Sequence, residues 1–485
     1  MFSRAPVRRL SGVLRRLPVL GIRDFQVLLA DRLLAPAAFA FSLVGVSFAV
    51  LDTTRSTADL SYVLAAQIVP SLIFTLVGGV IADRIRPQLV IIAGNLMIAL
   101  GEGAFGILVL AGHPRLWQMI VLETVTGTGM AIFYPASQAL LPRLVPGRLL
   151  QQASAISRLA MNGGQMGGAV LAGLSVAVLG PGWALVTCGA GTLGTVPLMA
   201  TLRVVAHERS GDSGMVRDLR EGWAEFRSHT WLWAIVAQFG VILMAWYGAF
   251  QVLGPVVARE HLGGPAAWGA ITAAESVGLI IGGFVSLKFT PRRPMRFIAA
   301  IGGAIAISPL SLAGPWPLLA ICLASLGLGI TMEIMMVQWT VALARNIPPE
   351  KLARVSSYDA LGSVMAMPLG AVVAGPIAAA VGVSATQYGA AVLILVASAL
   401  ALIPRDVRRM RSGAGDANAS GPGVSSVLAN DHDLPPATAA AEVAELAGLL
   451  TTEALADAEA IPAETAADAG PAGAPVAVPS ASARG

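Results

Sequence analysis

Charged residues are scarce in this chain of 485 residues. Lys, Arg, Asp and Glu together make up 12% of the sequence, hydrophobic residues make up 55%, and the mean hydropathy is +0.73. A soluble domain carries about 25% charged residues, so this composition cannot cover a surface that faces water. Lipid must be the solvent for most of the chain, and an integral membrane protein is predicted.

Residues that bind metals or form disulfides are also few. The two cysteines, Cys188 and Cys322, fall in apolar segments and are interpreted as small buried hydrophobic residues. The sequence contains no G-x-x-x-x-G-K-[ST] phosphate loop, no Cys/His cluster and no clustered polar motif of a membrane enzyme. We therefore expect no enzyme activity, no cofactor and no metal. The net charge of +4 sums basic loops with an acidic tail, so it does not indicate a nucleic-acid partner.

Long apolar runs are abundant. Twelve of them have the length of about 20 residues that crosses a bilayer core. The predicted spans are 25–50, 60–82, 88–112, 116–141, 152–177, 182–203, 231–257, 266–288, 295–313, 316–342, 355–380 and 384–404. The fold class predicted is an all-α membrane protein with twelve transmembrane helices.

Basic residues lie almost entirely in the loops on one side of these spans. The loops on the opposite side offer only Arg55, Arg115 and Arg259. Because cytoplasmic loops carry the excess of Lys and Arg, both termini are predicted to be cytoplasmic. An even number of spans is then required, which agrees with the twelve counted from hydropathy.

Composition divides the chain into five parts. They are an Arg-rich cytosolic N-terminus (1–24), a six-helix bundle (25–203), a central cytoplasmic loop (204–230), a second six-helix bundle (231–404), and a basic juxtamembrane segment with a disordered Ala/Pro/acidic tail (405–485).

The two bundles repeat each other at an offset of ~200 residues, as expected of parallel halves related by an axis along the membrane normal. Gly78–Ala82 is echoed by Gly282–Ser286, and Gly164–Gly173 by Ala366–Gly375. Two pseudo-symmetric six-helix bundles are predicted.

Three segments carry a resemblance to a known family. The predicted loop between the second and third helices contains Gly79, Asp83 and Arg84, which match the Gly, the Asp and the first Arg of the pattern G-x-x-x-D-R-x-G-R-[RK]. FYPASQALLPRLVPGRLLQQASA (133–155) and GQMGGAVLAG (164–173) are similar to the end of helix four with its loop and to the antiporter motif of helix five. Over residues 20–410 the chain resembles the major facilitator superfamily, and within it the bacterial exporter branch of enterobactin-exporter-like and macrolide-efflux-like proteins.

The resemblance implies secondary-active export of a small organic molecule, such as a drug, a siderophore or a natural product. Transport would occur by alternating access and proton antiport in a monomer, with the substrate, protons and the lipid bilayer as partners. A nutrient importer or facilitator of the same fold is the alternative, and a non-transporting membrane sensor is a further one. Gly79, Asp83 and Arg84 are interpreted as a gating loop, against the alternative of an ordinary charged turn.

Charged residues near the predicted cytoplasmic ends of helices are candidates for a latch. The candidates are Asp31, Arg32, Arg158 and Asp359. Asp31 and Arg32 are adjacent, so they point to different helix faces and are not expected to pair with each other. The repeat predicts a contact between Arg158 and Asp359 across the two bundles. Snorkelling to the interface is the alternative for Asp31 and Arg32.

Four carboxylates fall within apolar spans: Glu102, Glu123, Glu275 and Glu333. Because a charge at a helix centre costs at least ~2.5 kcal/mol, each must be protonated, paired, close to an interface or functional. They are candidates for lining the cavity or coupling transport to protons. Glu123 lies near the predicted outer end of helix four, where solvation is the alternative.

Amide and aromatic side chains in two helices suggest an amphipathic or aromatic substrate. These cavity candidates are Gln238, Trp246, Tyr247, Gln251 and Gln338. The alternative is packing with amide hydrogen bonds between helices. Glycines are predicted to let helices approach closely, and the candidates are Gly164, Gly168, Gly173, Gly282 and Gly283.

Overall fold

Twelve long helices follow one another in a computed structural model that describes residues 18–84, 87–112, 114–202, 223, 226–289, 291–314, 316–347 and 349–410. The helices are α1 (Arg23–Thr54), α2 (Thr57–Arg84), α3 (Pro87–Leu110), α4 (Leu116–Leu144), α5 (Leu150–Leu179), α6 (Pro181–Ala200), α7 (Thr230–His261), α8 (Pro265–Lys288), α9 (Pro294–Ala313), α10 (Leu318–Asn346), α11 (Pro349–Val364 and Met367–Val381) and α12 (Val383–Ala401). A short helix, α13 (Arg405–Arg409), follows.

The predicted fold class is confirmed. Ten of the twelve helices are long and apolar enough to cross a membrane by length and composition, six of them in the second bundle, and α2 and α5 complete the six helices of the first bundle. The predicted spans agree with the helices to within several residues. The central loop and the tail predicted from composition lie largely outside the described residues.

Three spans are irregular in a way that hydropathy does not reveal. A π-helical turn, Tyr247–Val252, interrupts α7, and a 3₁₀ turn, Gly302–Ala306, interrupts α9. In α11 the helix breaks between Val364 and Met367. Such interruptions change the helical period and leave the apolar composition unchanged, so the sequence predicted each span as continuous.

Glycines allow the helices within each bundle to touch backbone to backbone. A side chain at Gly164 or Gly168 would collide with the backbone of α1, and one at Gly282 would collide with α10. Gly283 is different, because a Cβ there would meet only the Glu333 side chain, at 3.9 Å. Small residues at such contacts are the usual basis of helix packing in lipid.

The twelve-helix structure has two ends, which we call the terminal face and the distal face. The terminal face carries the start of α1 at Arg23 and the helix α13, and the distal face carries the end of α1 at Thr54 and the end of α7 at His261. An ion pair between Asp52 and Arg259, 3.0 Å apart, shows that the ends of α1 and α7 share one face.

The two bundles meet towards the distal face, in what we call the distal contact. A Cβ on Gly173 of α5 would lie 2.9 Å from the Pro265 carbonyl oxygen of α8 and 3.0 Å from the Gly269 Cα. In the second bundle, the backbone N–H of Gly375 in α11 donates to the Ser61 hydroxyl of α2 at 2.7 Å. The fifth helix of each bundle therefore packs on the second helix of the other.

Apolar packing follows the same division. The cluster around Val50 and Leu60 near the distal face includes Tyr247, Val256 and Ala374 of the second bundle. By contrast, the two clusters that lie towards the terminal face of the first bundle draw all their described members from that bundle. The structure is thus closed by apolar contacts at the distal face.

Candidate functional site

A pair of carboxylates is buried within the first bundle. Glu102 of α3 and Glu123 of α4 are both 0% exposed, and they interact electrostatically. The Ser42 hydroxyl of α1 donates to Glu102 Oε1 at 2.6 Å, and Gln67 Nε2 of α2 donates to Glu123 Oε2 at 2.8 Å. The second oxygen of each carboxylate has no hydrogen-bond partner among the described residues. The pair is therefore held by four helices, and one oxygen of each member is left over.

Two glycines bring these helices close enough for the pair to form. A side chain at Gly127 of α4 would collide with the Gln67 backbone, and one at Gly101 of α3 would collide with the Thr126 hydroxyl of α4. Solvation of Glu123 near the outer end of its helix was the alternative left open by the sequence. The structure buries this side chain completely, because α2 and α3 pack directly against α4 at that level.

The second bundle reaches the carboxylate pair through Tyr247. This side chain is buried among first-bundle residues such as Val50 and Val63, and it interacts electrostatically with Glu123. Tyr247 is also the first residue of the π-helical turn in α7. Single π turns inside α-helices occur frequently at functional sites.

Trp246 and Gln251, the other two cavity candidates of α7, are both half-buried. The Trp246 indole N–H is buried and has no hydrogen-bond partner among the described residues. A buried indole usually finds a hydrogen-bond partner, so Trp246 is an exception in this conformation.

The two amide candidates of the second bundle lie in helix packing. Gln238 Nε2 donates to the Ala299 carbonyl at 3.0 Å and to the Ser398 hydroxyl at 3.1 Å, which ties α7 to α9 and α12. Gln338 Nε2 donates to the Phe289 carbonyl at 2.8 Å, which ties α10 to the end of α8. These hydrogen bonds agree with the alternative interpretation of the two amides, which is packing with amide hydrogen bonds between helices.

The latch candidates have other partners than the sequence predicted. Arg158 of α5 donates from Nη1 to Glu333 Oε1 of α10 at 2.9 Å, an ion pair that joins the two bundles. Asp359 Oδ2 of α11 accepts from the Trp339 indole N–H of α10 at 2.8 Å. Arg158 and Asp359 thus bond to α10 in this conformation, instead of to each other as the repeat had suggested. The repeat relates residues of the two bundles by their positions along the chain, and it gives no information about the partners that α10 offers.

Asp31 and Arg32 are both buried near the terminal half of α1. Arg32 Nη2 donates to the Ser137 carbonyl of α4 at 2.8 Å, and Nη1 donates to the Met161 sulfur of α5 at 3.4 Å. Its hydrogen bonds therefore go to other helices and not to the neighbouring Asp31. The alternative of snorkelling to the interface does not describe this arginine, because its guanidinium bonds inside the bundle.

Two further groups of predicted site residues can be placed only in part. Gly79, Asp83 and Arg84 end α2, in a stretch whose side chains lie outside the described residues. Glu275 is half-buried in α8, where its backbone carbonyl oxygen lies against Gly329 of α10.

Sequence reasoning did not select Ser42 and Gln67, the two residues that hydrogen-bond the carboxylate pair. The available signal was weak, since each is an uncharged polar residue within an apolar run.

Comparison with known proteins decides the family. The sequence profile described as Major Facilitator Superfamily matches residues 33–357, which is more than half of the chain. The chain belongs to the major facilitator superfamily. It is a multi-pass membrane transporter and not an enzyme. Transporters of this family carry small-molecule substrates.

Relatives of this transporter include efflux proteins. Macrolide efflux protein A of Streptococcus pyogenes is 24% identical over 401 residues, which cover 80% of this chain and 97% of the relative. The enterobactin exporter EntS of Escherichia coli O1:K1 / APEC is 27% identical over 347 residues, which cover 69% of this chain and 81% of the relative. The resemblance to the exporter branch is confirmed at the level of the family.

Solved structures share the fold of this transporter. A bacterial homologue of the human lysosomal transporter Spinster, in an inward-facing and unoccupied conformation, matches with a TM-score of 0.62 and 17% identity, covering 81% of this chain and 99% of the other. The nucleoside transporter NupG matches with a TM-score of 0.61 and 12% identity, covering 80% of this chain and 100% of the other. At these identities the likeness shows the fold alone.

Proposed function

We propose that this transporter exports a small organic molecule, such as a drug, a siderophore or a natural product, in exchange for protons. It acts by alternating access, as a monomer in a bacterial inner membrane with both termini in the cytoplasm. The names of the two relatives, a macrolide efflux protein and an enterobactin exporter, support export. The observation that supports proton coupling is the buried pair of Glu102 and Glu123.

Two carboxylates that interact in a dry site cannot both remain charged at low cost. A buried ion costs several kcal/mol unless it is paired, and two neighbouring carboxylates share a proton for this reason. Glu102 Oε2 and Glu123 Oε1 have no other partner among the described residues, so a proton held between or on these oxygens satisfies them. The pair is thus suited to bind a proton in one conformation and release it in the other.

The closed distal face fits the export cycle. The Arg and Lys distribution assigns the terminal face to the cytoplasm, and the apolar contacts between the bundles lie at the opposite face. This conformation would therefore load substrate from the cytoplasm while the carboxylate pair is sealed from the outside. Opening of the distal contact would expose the pair to external protons.

The terminal face would then need a gate for the outward-open state. We assign this role to the end of α2, with Gly79, Asp83 and Arg84 at the turn into α3. Asp83→Asn is expected to reduce transport while membrane insertion stays intact, since the residue lies at a helix end and not in the hydrocarbon core. Normal transport by this variant, at equal amounts in the membrane, would remove Asp83 from the gate.

The proton assignment can be tested in everted membrane vesicles. An imposed proton gradient, acid inside, should drive a fluorescent dye into vesicles that contain the wild-type protein. Glu123→Gln and Glu102→Gln should each reduce the gradient-driven component severalfold. Glu260→Gln is the matched control, because Glu260 is exposed at the end of α7.

Two results would contradict the proposal. Dye movement that follows only its own concentration gradient in the wild type would indicate a facilitator, which is the alternative that the sequence left open. Gradient-driven uptake that is undiminished in both Gln variants would remove the carboxylate pair from proton coupling.

A further inference from the structure

The ion pair between Arg158 and Glu333 bridges the two bundles away from the distal contact. Arg158 lies 15 residues from Gly173 along α5, which is roughly 22 Å at the rise of an α-helix. The Arg158 side chain is 62% exposed within a membrane-spanning helix. Such a side chain is expected to face water and not lipid, because a charge in hydrocarbon is costly. We therefore treat the gap between the bundles around this pair as open to water and call it the terminal opening. It would lie on the path of a substrate that enters from the terminal face.

The two partners differ in accessibility. The Glu333 side chain is only 13% exposed, compared with 62% for Arg158. Gly282 of α8 packs against Glu333, where a Cβ would lie 3.0 Å from the Glu333 Cβ. A molecule in the opening can reach the guanidinium directly, while the carboxylate is covered by α8 and by Arg158 itself.

The described contact uses a small part of the arginine's capacity. Glu333 accepts one bond, from Nη1, whereas a guanidinium offers five N–H donors in a planar fork that fits a carboxylate or a similar anion with two parallel bonds. An incoming anion can therefore gain a second hydrogen bond that Glu333 does not make here.

A second guanidinium adds positive charge on the same side. Arg32 donates to the sulfur of Met161, which lies one helical turn from Arg158 on α5. Asp31 offsets part of the Arg32 charge, since the two interact electrostatically. On this side, the first bundle thus contributes the two arginines Arg158 and Arg32. The second bundle contributes the carboxylate of Glu333, which binds Arg158 in this conformation.

We infer that the substrate carries an anionic group, and that this group binds Arg158 by displacing Glu333. The inference rests on the proposed function, because it assigns a substrate class to the same transport pathway. Displacement of Glu333 breaks the described ion pair between the bundles on this side, so binding of the substrate removes a link that holds the terminal opening in its present form. A cationic substrate would have to displace the exposed Arg158 from a carboxylate that it cannot readily reach.

The test uses two dyes that share a xanthene ring system and differ in charge, fluorescein as the anion and rhodamine 123 as the cation. Binding to the purified transporter is measured by fluorescence anisotropy at one pH. Fluorescein is expected to bind more tightly than rhodamine 123. Arg158→Gln should weaken fluorescein binding roughly tenfold or more, the loss expected for a hydrogen-bonded charge.

Glu333→Gln should have the opposite effect, which distinguishes this inference from a purely structural role of the ion pair. Removal of the competing anion should raise the affinity for fluorescein about threefold, within the range for a partly exposed ion pair. Arg143→Gln is the matched control, because Arg143 is an exposed arginine in the last turn of α4. Thermal unfolding of each variant checks that it is folded.

Three results would overturn the inference: preference for rhodamine 123, weaker fluorescein binding by Glu333→Gln, or no fluorescein binding to the wild type and Glu333→Gln up to about 1 mM, the limit of weak binding. Failure of the proposed export function looks different in proteoliposomes. Arg158-dependent fluorescein binding without gradient-driven flux would contradict export alone. Gradient-driven flux of rhodamine 123 that is unchanged in Arg158→Gln would contradict the anionic substrate alone.

Discussion

The two bundles are alike in how they contact each other and unlike in what they bury. Gly173 of the first bundle and Gly375 of the second occupy matching positions in the distal contact. The charged residues that are fully buried in the described part of the chain, however, all belong to the first bundle, and they are Asp31, Arg32, Glu102 and Glu123. The second bundle buries amides and hydroxyls instead, and the buried amides are Gln238, Gln338 and Gln387.

In the proposed proton-coupled cycle, this difference separates the residues that allow the bundles to move from the residues that bind the proton. Rocking of two bundles requires a contact that both can form and release, so the glycine positions are repeated. A proton site requires buried carboxylates, whose cost in a membrane is high. One copy of the site is sufficient, and the second bundle can use neutral amide bonds that hold its helices together at lower cost.

The largest expected effect comes from removing charge from both members of the pair. The double variant with Glu102→Gln and Glu123→Gln should reduce gradient-driven transport at least about tenfold, because no group remains at that site to carry the proton. Gln238→Leu in the second bundle should lower thermal stability, by about 1–3 kcal/mol for two lost hydrogen bonds, and leave the ratio of driven to passive transport unchanged. Vesicle flux with and without a gradient measures both. Equal loss of coupling in the two bundles would refute the division of roles.

The next effect sharpens the likeness of the bundles. Gly173→Leu and Gly375→Leu should each impair transport severely and to a similar extent, since either side chain would collide with the backbone of the opposite bundle. Gly283→Ala is the control with little expected effect, because its Cβ would have open space apart from one ordinary contact. Flux per molecule of inserted transporter is the measurement. A severe loss in only one of the two leucine variants would show that the distal contact is not symmetric in function.

A smaller effect is expected where the second bundle touches the carboxylate pair. Tyr247→Phe keeps the ring among its apolar neighbours and removes the hydroxyl that interacts with Glu123. We expect transport to fall by a few-fold at most and its dependence on external pH to shift, because the hydroxyl interacts electrostatically with Glu123. An unchanged pH profile would limit Tyr247 to packing.

The smallest effect is expected at the ion pair of the distal face, between Asp52 and Arg259. Asp52→Asn should change transport by twofold or less, since both partners are partly exposed and such pairs contribute about 0–1 kcal/mol. Initial rates at low and high salt would detect the difference. A loss as large as that in Gly173→Leu would mean that charge, and not close backbone packing, holds the distal face closed.

Hydropathy and the positions of basic residues predicted the twelve spans, because both depend on the local sequence. The glycines Gly164 and Gly173 predicted close approach of helices for the same reason. The partners of charged side chains could not be predicted in this way. The contacts of Ser42 with Glu102 and of Gln67 with Glu123 join α1 to α3 and α2 to α4, helices that are not neighbours in sequence. The π turn of α7 depends equally on its surroundings and leaves no mark on hydropathy.

The glycine-rich distal contact also has a consequence for the rate at which the transporter can work. Side chains that interlock must find one rotamer each time a surface re-forms, and long ones lose up to about 2 kcal/mol of rotamer entropy when they do so. Glycine has no rotamer to lose. The backbone surfaces at Gly173 and Gly269 can therefore separate and meet again in every cycle with less rearrangement of side chains than an interlocked contact would need.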